Sequence, residues 1–325
     1  MRVQTVLGPI GIEQLGRTLI HEHLFIAFDG AQYDPQAVFD RPAFVREAVK
    51  RLKALKEHGV STFVDPCPID LGRDVQLMAE ISEKAEMHVV CTTGFYYEAQ
   101  GLPVYWRVRS EEDIASLYIR EIEKGIGDTG IRAGAIKVAT GAPNVTALEE
   151  KFVAAACIAQ KATGVPIISH TQDGVGGPEQ QALFAKGGVK PHCCLIGHSC
   201  GNADPAYHRR IVDGGSYIGF DRIGIVRLQP DEVRADNLVK LVRDGFAHRV
   251  MMSQDRYCFQ LGRPMRVLTA EEVANIDTLS KAGQWPPHFT YLFTDFIPML
   301  RQRGLKDAEI FSILDDNPRR FFAGH

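Results

Sequence analysis

Two histidines separated by one residue stand near the start of the chain, in the stretch TLIHEHLF at residues 18–25. Side chains alternate between the two faces of a β-strand, so His21 and His23 in an extended segment would point to the same side. Neutral imidazole is the commonest metal ligand in proteins. The pair fits one part of a metal site, but an isolated HxH is more often two solvated histidines at a strand end, so further ligands must decide.

Other residues of ligand type stand at the ends of short apolar runs, or inside them. They are Lys137 in AGAIKVAT, His170 in PIISHT, His198 in CCLIGHS and Asp255 in RVMMSQD. The remaining histidines fall in helix-like segments, at the starts of apolar runs or in loops. Whether the six residues meet depends on the elements that carry them.

Short β-rich runs alternate with helix-like segments along the whole chain. We predict strands at 18–20, 61–66, 88–95, 133–140, 166–171, 193–199, 216–222 and 249–255. Apolar residues at three- and four-residue spacing predict helices at 41–59, 113–126, 146–164 and 236–246. Thr146 and Glu149 form a capping box, and the tail from 288 to 322 is long enough for two more helices.

Strand and helix alternating eight times predict an α/β fold, a (β/α)8 TIM barrel. An open doubly wound sheet is the alternative, but no GxGxxG follows the first strand, which removes its main support. No low-complexity or Pro/Ser-rich linker divides the sequence, so we expect residues 1–325 to form one domain.

Active-site residues of such barrels cluster at the carboxyl ends of the strands. Four histidines and an aspartate fall on that rim, and a shared metal site explains them better than chance does. They are His21, His23, His170, His198 and Asp255.

Lys137 lies in an otherwise apolar strand, where burial disfavours the ammonium form. A neutral amine can add carbon dioxide to give a carbamate, whose two oxygens can bridge two cations. The alternative is a lysine that snorkels outward or pairs with a nearby carboxylate.

HxH on the first strand, Lys on the fourth, His on the fifth and sixth and Asp on the eighth resemble the phosphotriesterase-like branch of the amidohydrolase superfamily, and most closely its lactonases. The resemblance covers nearly the whole chain. It rests on the stretches LGRTLIHEHL, DLGRD, TGFYYE, AGAIKVAT, VPIISHTQDG, IGHSCGNADPAYH, FDRIG, LGRP and NPRRFF. It implies a homodimer with two divalent ions, Zn, Co, Mn or Fe, at the carboxyl ends of the strands.

The resemblance also implies which residues hold the ions. His21, His23 and Asp255 would hold the buried metal, His170 and His198 the exposed one, and carboxylated Lys137 would bridge both. A metal-bridging hydroxide would attack a γ-lactone, a δ-lactone or an acyl-homoserine lactone, and Asp255 would take the proton. Phosphotriester hydrolysis would be a side reaction.

Tyr96 and Arg222 resemble the substrate-positioning residues of lactonases. Tyr96 follows strand three, and its phenol would hydrogen-bond the reacting oxygen; a shift of one residue in strand phase would give that place to Tyr97. True phosphotriesterases carry a histidine in place of Arg222, so this residue favours lactones. The alternatives are a rim aromatic that only packs and an arginine that pairs with Asp221 or another acid.

Three other functions stay open at this point. One is an organophosphate triesterase. Another is a hydrolase of cyclic amides or phosphorylated sugar lactones, for which Arg227 and Arg263 are candidate basic groups. The third is a barrel that binds without catalysis, although such a barrel has no physical need for six filled ligand positions.

Composition excludes several other classes. The net charge of −3 gives no sign of a general affinity for nucleic acid or acidic membranes, so we expect a small-molecule substrate. The chain has no signal-peptide core and no run long enough to span a membrane, so we expect a cytoplasmic protein. The 7 cysteines form no CxxC pair and should be reduced and mostly buried.

Two features near the last strand depart from the simple pattern. Gln254 stands where related lactonases often have histidine, which leaves the tuning of the metals open. Residues 256–287 should form a long loop over the pocket, whose apolar side chains either line a cleft for an acyl chain or pin the loop to the barrel. These side chains are Phe259, Leu261, Met265 and Trp285.

Overall fold

The strands form a nearly closed barrel in a computed structural model that describes residues 1–262, 269–271, 274, 278 and 288–324. In chain order the described strands are β1 (Arg2–Thr5), β2 (Gly8–Gly11), β3 (Arg17–Leu19), β4 (His23–Ala27), β5 (Val60–Asp65), β6 (His88–Gly94), β7 (Ala135–Thr140), β8 (Ile167–Thr171), β9 (Cys194–Ile196), β10 (Tyr217–Phe220), β11 (Val250–Met252) and β12 (Tyr257–Leu261). The barrel sheet has the order β3, β5, β6, β7, β8, β9, β10, β11, and all its pairs are parallel. The prediction of a (β/α)8 barrel is confirmed, with all eight predicted strands in place.

Helices surround the barrel on its outer face. The described helices are α1 (Arg41–Lys56), α2 (Val75–Ala85), α3 (Val104–Arg107), α4 (Glu111–Glu123), α5 (Ala147–Thr163), α6 (Gly177–Lys186), α7 (Pro205–Asp213), α8 (Asp231–Leu241), α9 (Ile297–Gln302) and α10 (Asp307–Phe322). The capping box of Thr146 and Glu149 is present at the start of α5. The helix predicted at 236–246 begins and ends earlier than predicted. It begins directly after Pro230 because Asp231 and Glu232 stabilise a helix N-terminus. It ends earlier because Gly245, at φ 92°, interrupts the helical conformation.

The barrel interior is filled by one apolar residue from each barrel strand or the residue next to it. These residues are Ile20, Val64, Val90, Ala135, Ile168, Leu195, Tyr217 and Met251, and they form one buried cluster with Val3, Leu15, Phe321 and Phe322. Side chains two residues further along a strand point to the same interior, one layer closer to the carboxyl end. Lys137 therefore lies above Ala135, and His170 lies above Ile168.

The barrel closes between β3 and β11 without a regular strand ladder among the described residues. The backbone N–H of Asp255 donates to the carbonyl of His21 at 3.0 Å, and the N–H of His23 donates to the carbonyl of Arg256 at 2.7 Å. Beyond these contacts β12 pairs with β4 in parallel, from Tyr257 opposite His23 onward. This seam brings the HxH segment and Asp255 together.

None of the helices in the described part of the chain is both long and apolar enough to cross a membrane.

Gly94 at the end of β6 supplies a test of how closely the rim is packed. A Cβ on Gly94 would lie 1.9 Å from the carbonyl oxygen of Lys137, and the residue has φ +117°. We expect Gly94→Ala to lower the free energy of unfolding by about 2–6 kcal/mol, from backbone strain and overpacking together. Urea denaturation measures the change.

Gly164 is the matched control for this substitution. It also has positive φ, +76°, but nothing lies within 4 Å of a Cβ built there. Gly164→Ala should therefore lose only about 1–2 kcal/mol. Equal losses in the two variants would show that close approach to Lys137 is unimportant.

Candidate metal centre

The structure brings all six predicted metal-site residues to the carboxyl end of the barrel. His21 lies between β3 and β4, His23 is the first residue of β4, Lys137 lies in β7, and His170 lies in β8. His198 follows β9, and Asp255 follows β11. The four histidines and Lys137 are buried, and Asp255 is partly buried.

Asp255 lies at the middle of this group. Its Oδ1 is 3.3 Å from Nε2 of His23 and 3.6 Å from Nε2 of His21, and its Oδ2 is 3.7 Å from Nε2 of His198. Nζ of Lys137 lies 3.1 Å from Nε2 of His21. The described ligand atoms of His21, His23 and Asp255 all lie within 4.8 Å of one another, as a common metal ion requires.

His170 completes the group on the other side. Its ring centroid is 4.5 Å from that of His198, which is in turn 4.6 Å from that of His21. Nε2 of His170 contacts Oε1 of Gln172 at 2.8 Å, so Nδ1 is its remaining ring nitrogen. The imidazoles thus form one continuous set across the rim.

Two buried aspartates that the sequence analysis did not assign orient the histidines. Asp221 lies 3.1 Å from Nδ1 of both His21 and His198, and Asp65 lies 3.0 Å from Nδ1 of His23. A carboxylate on Nδ1 holds the proton there and leaves Nε2 as the ligand atom. Both aspartates come at the carboxyl ends of barrel strands. The rule that active-site residues lie at these ends, here called the rim rule, identified Asp255 and could also have identified them.

Burial sets the protonation state of most of these groups. It lowers the pKa of His21 to about 3 and holds the pKa of His170 and His198 below the usual range. For His23 burial acts in the same direction, but hydrogen bonds to Asp255 and Asp65 outweigh it and raise the pKa. Burial also lowers the pKa of Lys137 to about 8, which makes its neutral amine accessible near neutral pH.

The residues present fit a metal centre. Metal ligation needs neutral imidazoles and ionised carboxylates, and positive neighbours hold the pKa of Asp255 well below its usual range against the opposing effect of burial. Nε2 of His198 is buried and has no hydrogen-bond partner. An imidazole nitrogen left in this state beside a carboxylate is satisfied when a cation binds between them.

Arg222 lies beside the same carboxylate. Its Nε donates to Oδ2 of Asp255 at 2.8 Å, and the side chain is largely buried. Of the two expected alternatives, a pair with Asp221 or with another acid, the structure shows the second, since Arg222 pairs with Asp255 while Asp221 contacts the two histidines. Arg222 therefore reaches the centre of the site through Asp255.

Both candidate tyrosines contact His170. The ring centroid of Tyr96 is 5.0 Å from that of His170 in an edge arrangement, and that of Tyr97 is 5.3 Å away and stacked. Burial raises the pKa of both phenols, that of Tyr97 to about 12. For Tyr96 the charge of Arg222 acts against burial, and Asp255 acts with it.

Two buried carboxylates fix the backbone on either side of the tyrosines. Asp70 accepts the N–H groups of Tyr96 and Leu102 at 2.8 and 2.7 Å. Glu149 accepts the N–H group of Glu98 at 3.1 Å while it caps α5. The segment that carries Tyr96 is thus anchored to the short turn after β5 and to the first turn of α5.

Three side chains that the sequence analysis named near the last strand lie outside the ligand group. They are Gln254, which departs from the family pattern, and the apolar Phe259 and Leu261. Gln254 is buried, its Oε1 accepts the N–H of Leu292 at 3.0 Å, and its amide donates to the carbonyl of Phe289. Phe259 packs against Phe25, Phe39 and Phe44, so it pins β12 to the barrel. Leu261 pairs with Ala27 in the β4–β12 ladder, which also favours pinning over a cleft.

Three residues named in the sequence analysis lie outside the described residues. They are Arg263, Met265 and Trp285. The other basic candidate, Arg227, is exposed in the loop that follows Arg222.

A family model described as the phosphotriesterase family matches residues 1–322. The chain belongs to the phosphotriesterase family. Family members depend on a binuclear metal centre, and the grouped His and Asp residues of this chain are able to bind metal. The chain is a metal-dependent hydrolase.

Relatives and a solved structure agree with this assignment. The chain is 35% identical to a phosphotriesterase homology protein of Mycobacterium tuberculosis, over 98% of this chain and 97% of the relative. It is 33% identical to an aryldialkylphosphatase of Saccharolobus solfataricus, over 99% and 100%. A mutant of a PTE-like lactonase from Deinococcus radiodurans has TM-score 0.90 and 36% identity, over 98% of this chain and 99% of that one.

Asp70 supplies a pH-dependent prediction. Burial raises its pKa from the usual 3.8 to about 6, although the N–H groups of Leu102 and Tyr96 act in the opposite direction. Because the folded-state pKa is the higher one, the stability that Asp70 contributes is full below pH 3.8 and is lost as pH rises through 6. Wild type should lose about 2 kcal/mol relative to Asp70→Asn between pH 4 and 7, most of the roughly 3 kcal/mol that the whole pKa shift is worth.

The measurement is urea denaturation of both proteins across this pH range, with chelator present so that metal binding does not contribute. The difference between the two free energies of unfolding removes every other titrating group. A difference that does not change with pH would contradict the buried, titrating Asp70.

Proposed function

We propose that this protein is a lactonase that hydrolyses γ-lactones, δ-lactones or acyl-homoserine lactones, with weaker activity on phosphotriesters. The observation that carries the proposal is the contact of Arg222 with Asp255 at 2.8 Å, together with the Tyr96 ring 5.0 Å from the ring of His170. A guanidinium and a phenol at this point offer donors to the carbonyl and ring oxygens of a lactone. The similarity to a PTE-like lactonase supports the same substrate class.

The proposed ligands are the six rim residues. His21, His23 and Asp255 would hold one ion, His170 and His198 the second, and Lys137, as a carbamate, both. Zn, Co, Mn and Fe all accept this mixture of imidazole and oxygen ligands. Bound divalent ions lower the pKa of water towards neutrality and polarise the carbonyl that is attacked.

The chain's own residues then have distinct tasks. Arg222 and Tyr96 orient the ester and stabilise the oxygen on which charge develops. Asp255, ionised and facing the group, takes the proton that the attacking water loses and passes it to the leaving alkoxide. Asp221 and Asp65 hold the imidazoles in orientation through Nδ1.

Organophosphate hydrolysis is the alternative main activity. The similarity to an aryldialkylphosphatase favours it, and attack at phosphorus needs the same ions and the same proton acceptor. A phosphorylated sugar lactone or a cyclic amide is a further alternative, for which the exposed Arg227 is a candidate basic group. Arg222 and the two tyrosines lead us to favour plain lactones.

Three other expectations stay predictions. They are a single domain over residues 1–325, a homodimer and a cytoplasmic location. Limited proteolysis tests the single domain, sedimentation tests the homodimer, and cell fractionation tests the location.

The substrate class is tested by a hydrolysis panel. Protein loaded with manganese, cobalt or zinc is assayed on γ-lactones, δ-lactones, acyl-homoserine lactones and one activated phosphotriester. We expect kcat/KM for a lactone to exceed that for the phosphotriester and both to disappear with chelator. Phosphotriester turnover above all lactones would instead support the organophosphate alternative, and absence of bound metal would overturn the whole assignment.

The bridging role of Lys137 is tested by Lys137→Ala. Loss of the amine removes the carbamate, so we expect a sharp loss of metal retained after dialysis and of turnover, by at least the 10–100-fold typical when support for a metal ligand is lost. Lys151→Ala on the outer helix α5 is the control, and it should keep both. Full metal content and activity in Lys137→Ala would reject the bridging assignment.

A further inference from the structure

Glu22 stands between the two histidines of the HxH pair and is fully buried. Its carboxylate reaches across the barrel seam to the segment after β11. Oε1 accepts the hydroxyl of Ser253 at 2.9 Å and the N–H of Gln254 at 2.8 Å, and Oε2 accepts the N–H of Arg256 at 3.0 Å. None of these contacts involves the substrate or the grouped imidazoles.

The two backbone groups that Glu22 accepts flank Asp255 directly. Asp255 has φ 52°, a left-handed conformation that residues with a Cβ adopt at a cost. Its own N–H donates to the carbonyl of His21 at 3.0 Å. The conformation of Asp255 is therefore held by hydrogen bonds on three successive N–H groups.

The same carboxylate is linked to the first histidine. Ser253 Oγ donates to Glu22 and accepts the N–H of His21 at 3.1 Å. The described residues form no regular ladder between β3 and β11, so these side-chain contacts add to the backbone hydrogen bonds of His23 and Asp255 in holding the two sides of the seam in register. His21, His23 and Asp255 lie on those two sides.

We infer that Glu22 is a positioning residue for the metal centre, which holds the Asp255 carboxylate against His21 and His23 by accepting the N–H groups of Gln254 and Arg256. The inference rests on the metal centre proposed above. It predicts an asymmetry, because Glu22 supports the ligands of one ion and makes no contact with His170 or His198. Loss of Glu22 should weaken one of two metals.

The test variant is Glu22→Gln, which keeps size and one acceptor oxygen but places an amide N–H₂ against a backbone N–H. Glu149→Gln is the matched control. Glu149 is also buried and accepts three backbone N–H groups, from Glu98, Gly141 and Thr146, at 3.0–3.1 Å, and none of them adjoins Asp255. Ser253→Ala is a milder second variant that keeps the test decisive if Glu22→Gln fails to fold.

The measurement is a Co²⁺ titration of the metal-free proteins, followed by visible absorption and by competition with a chelator. In Glu22→Gln we expect one cobalt to bind about 10–100-fold more weakly and the other to stay near the wild-type affinity. Ser253→Ala should weaken the same cobalt by a smaller factor. Glu149→Gln should lose stability in urea yet keep both affinities.

Each outcome decides the matter. Wild-type affinities for both ions in Glu22→Gln and Ser253→Ala would overturn the positioning role, and so would an equal loss for both ions in Glu22→Gln and Glu149→Gln. Failure of the wild-type protein to bind cobalt would overturn the proposed metal centre itself, and the inference with it.

Discussion

Asp255 places a negative charge among three imidazoles and Arg222 in a region largely closed to water. An ionised carboxylate is unfavourable in such a place unless cations or donors compensate it. Its positive neighbours lower the pKa of Asp255, while burial lowers the pKa of His21, His170 and His198. The result is an anion beside the neutral imidazoles of His21 and His198, while hydrogen bonds to Asp255 and Asp65 raise the pKa of His23. A divalent ion requires neutral imidazoles and an ionised carboxylate. The burial and the charges that set these pKa values therefore also favour a metal ion at this site.

Around these residues lies an outer layer of buried carboxylates, Asp65, Asp221 and Glu22. Each of them also accepts backbone N–H groups: Asp65 from Leu24 and Cys67, Asp221 from His198, and Glu22 from the residues beside Asp255. The same side chains that orient ligands therefore hold the strand ends together. Because the same carboxyl groups orient the ligands and hold the strand ends, the geometry of the site and the closure of the barrel are not independent.

The sequence predicted the barrel because buried parallel strands read as short apolar runs, and the rim rule then brought His170, His198 and Asp255 to one place. Other parts had no such signal. Phe259 lies in β12, which pairs with β4 across the chain, and only tertiary contacts define that pairing. The sequence could not decide between Tyr96 and Tyr97 for a physical reason: β6 ends at Gly94 with φ +117°, so strand alternation no longer applies beyond it. Asp65 and Asp221 resemble any aspartate at a strand end until their histidine partners are seen.

The tyrosines bear on the choice between ester and phosphotriester. Attack on a planar lactone carbonyl gives a tetrahedral centre, whereas in-line attack at phosphorus needs room for a five-coordinate centre, with the phosphoryl oxygen and two ester oxygens equatorial and the entering and leaving oxygens axial. Tyr96 and Tyr97 both place their rings within 5.3 Å of the His170 ring and so narrow the space beside the proposed exposed ion. Asp70 and Glu149 hold the backbone on both sides of these rings, which opposes their withdrawal. The ligand group itself serves either reaction, so the proposed preference for lactones rests on this anchored segment and on Arg222.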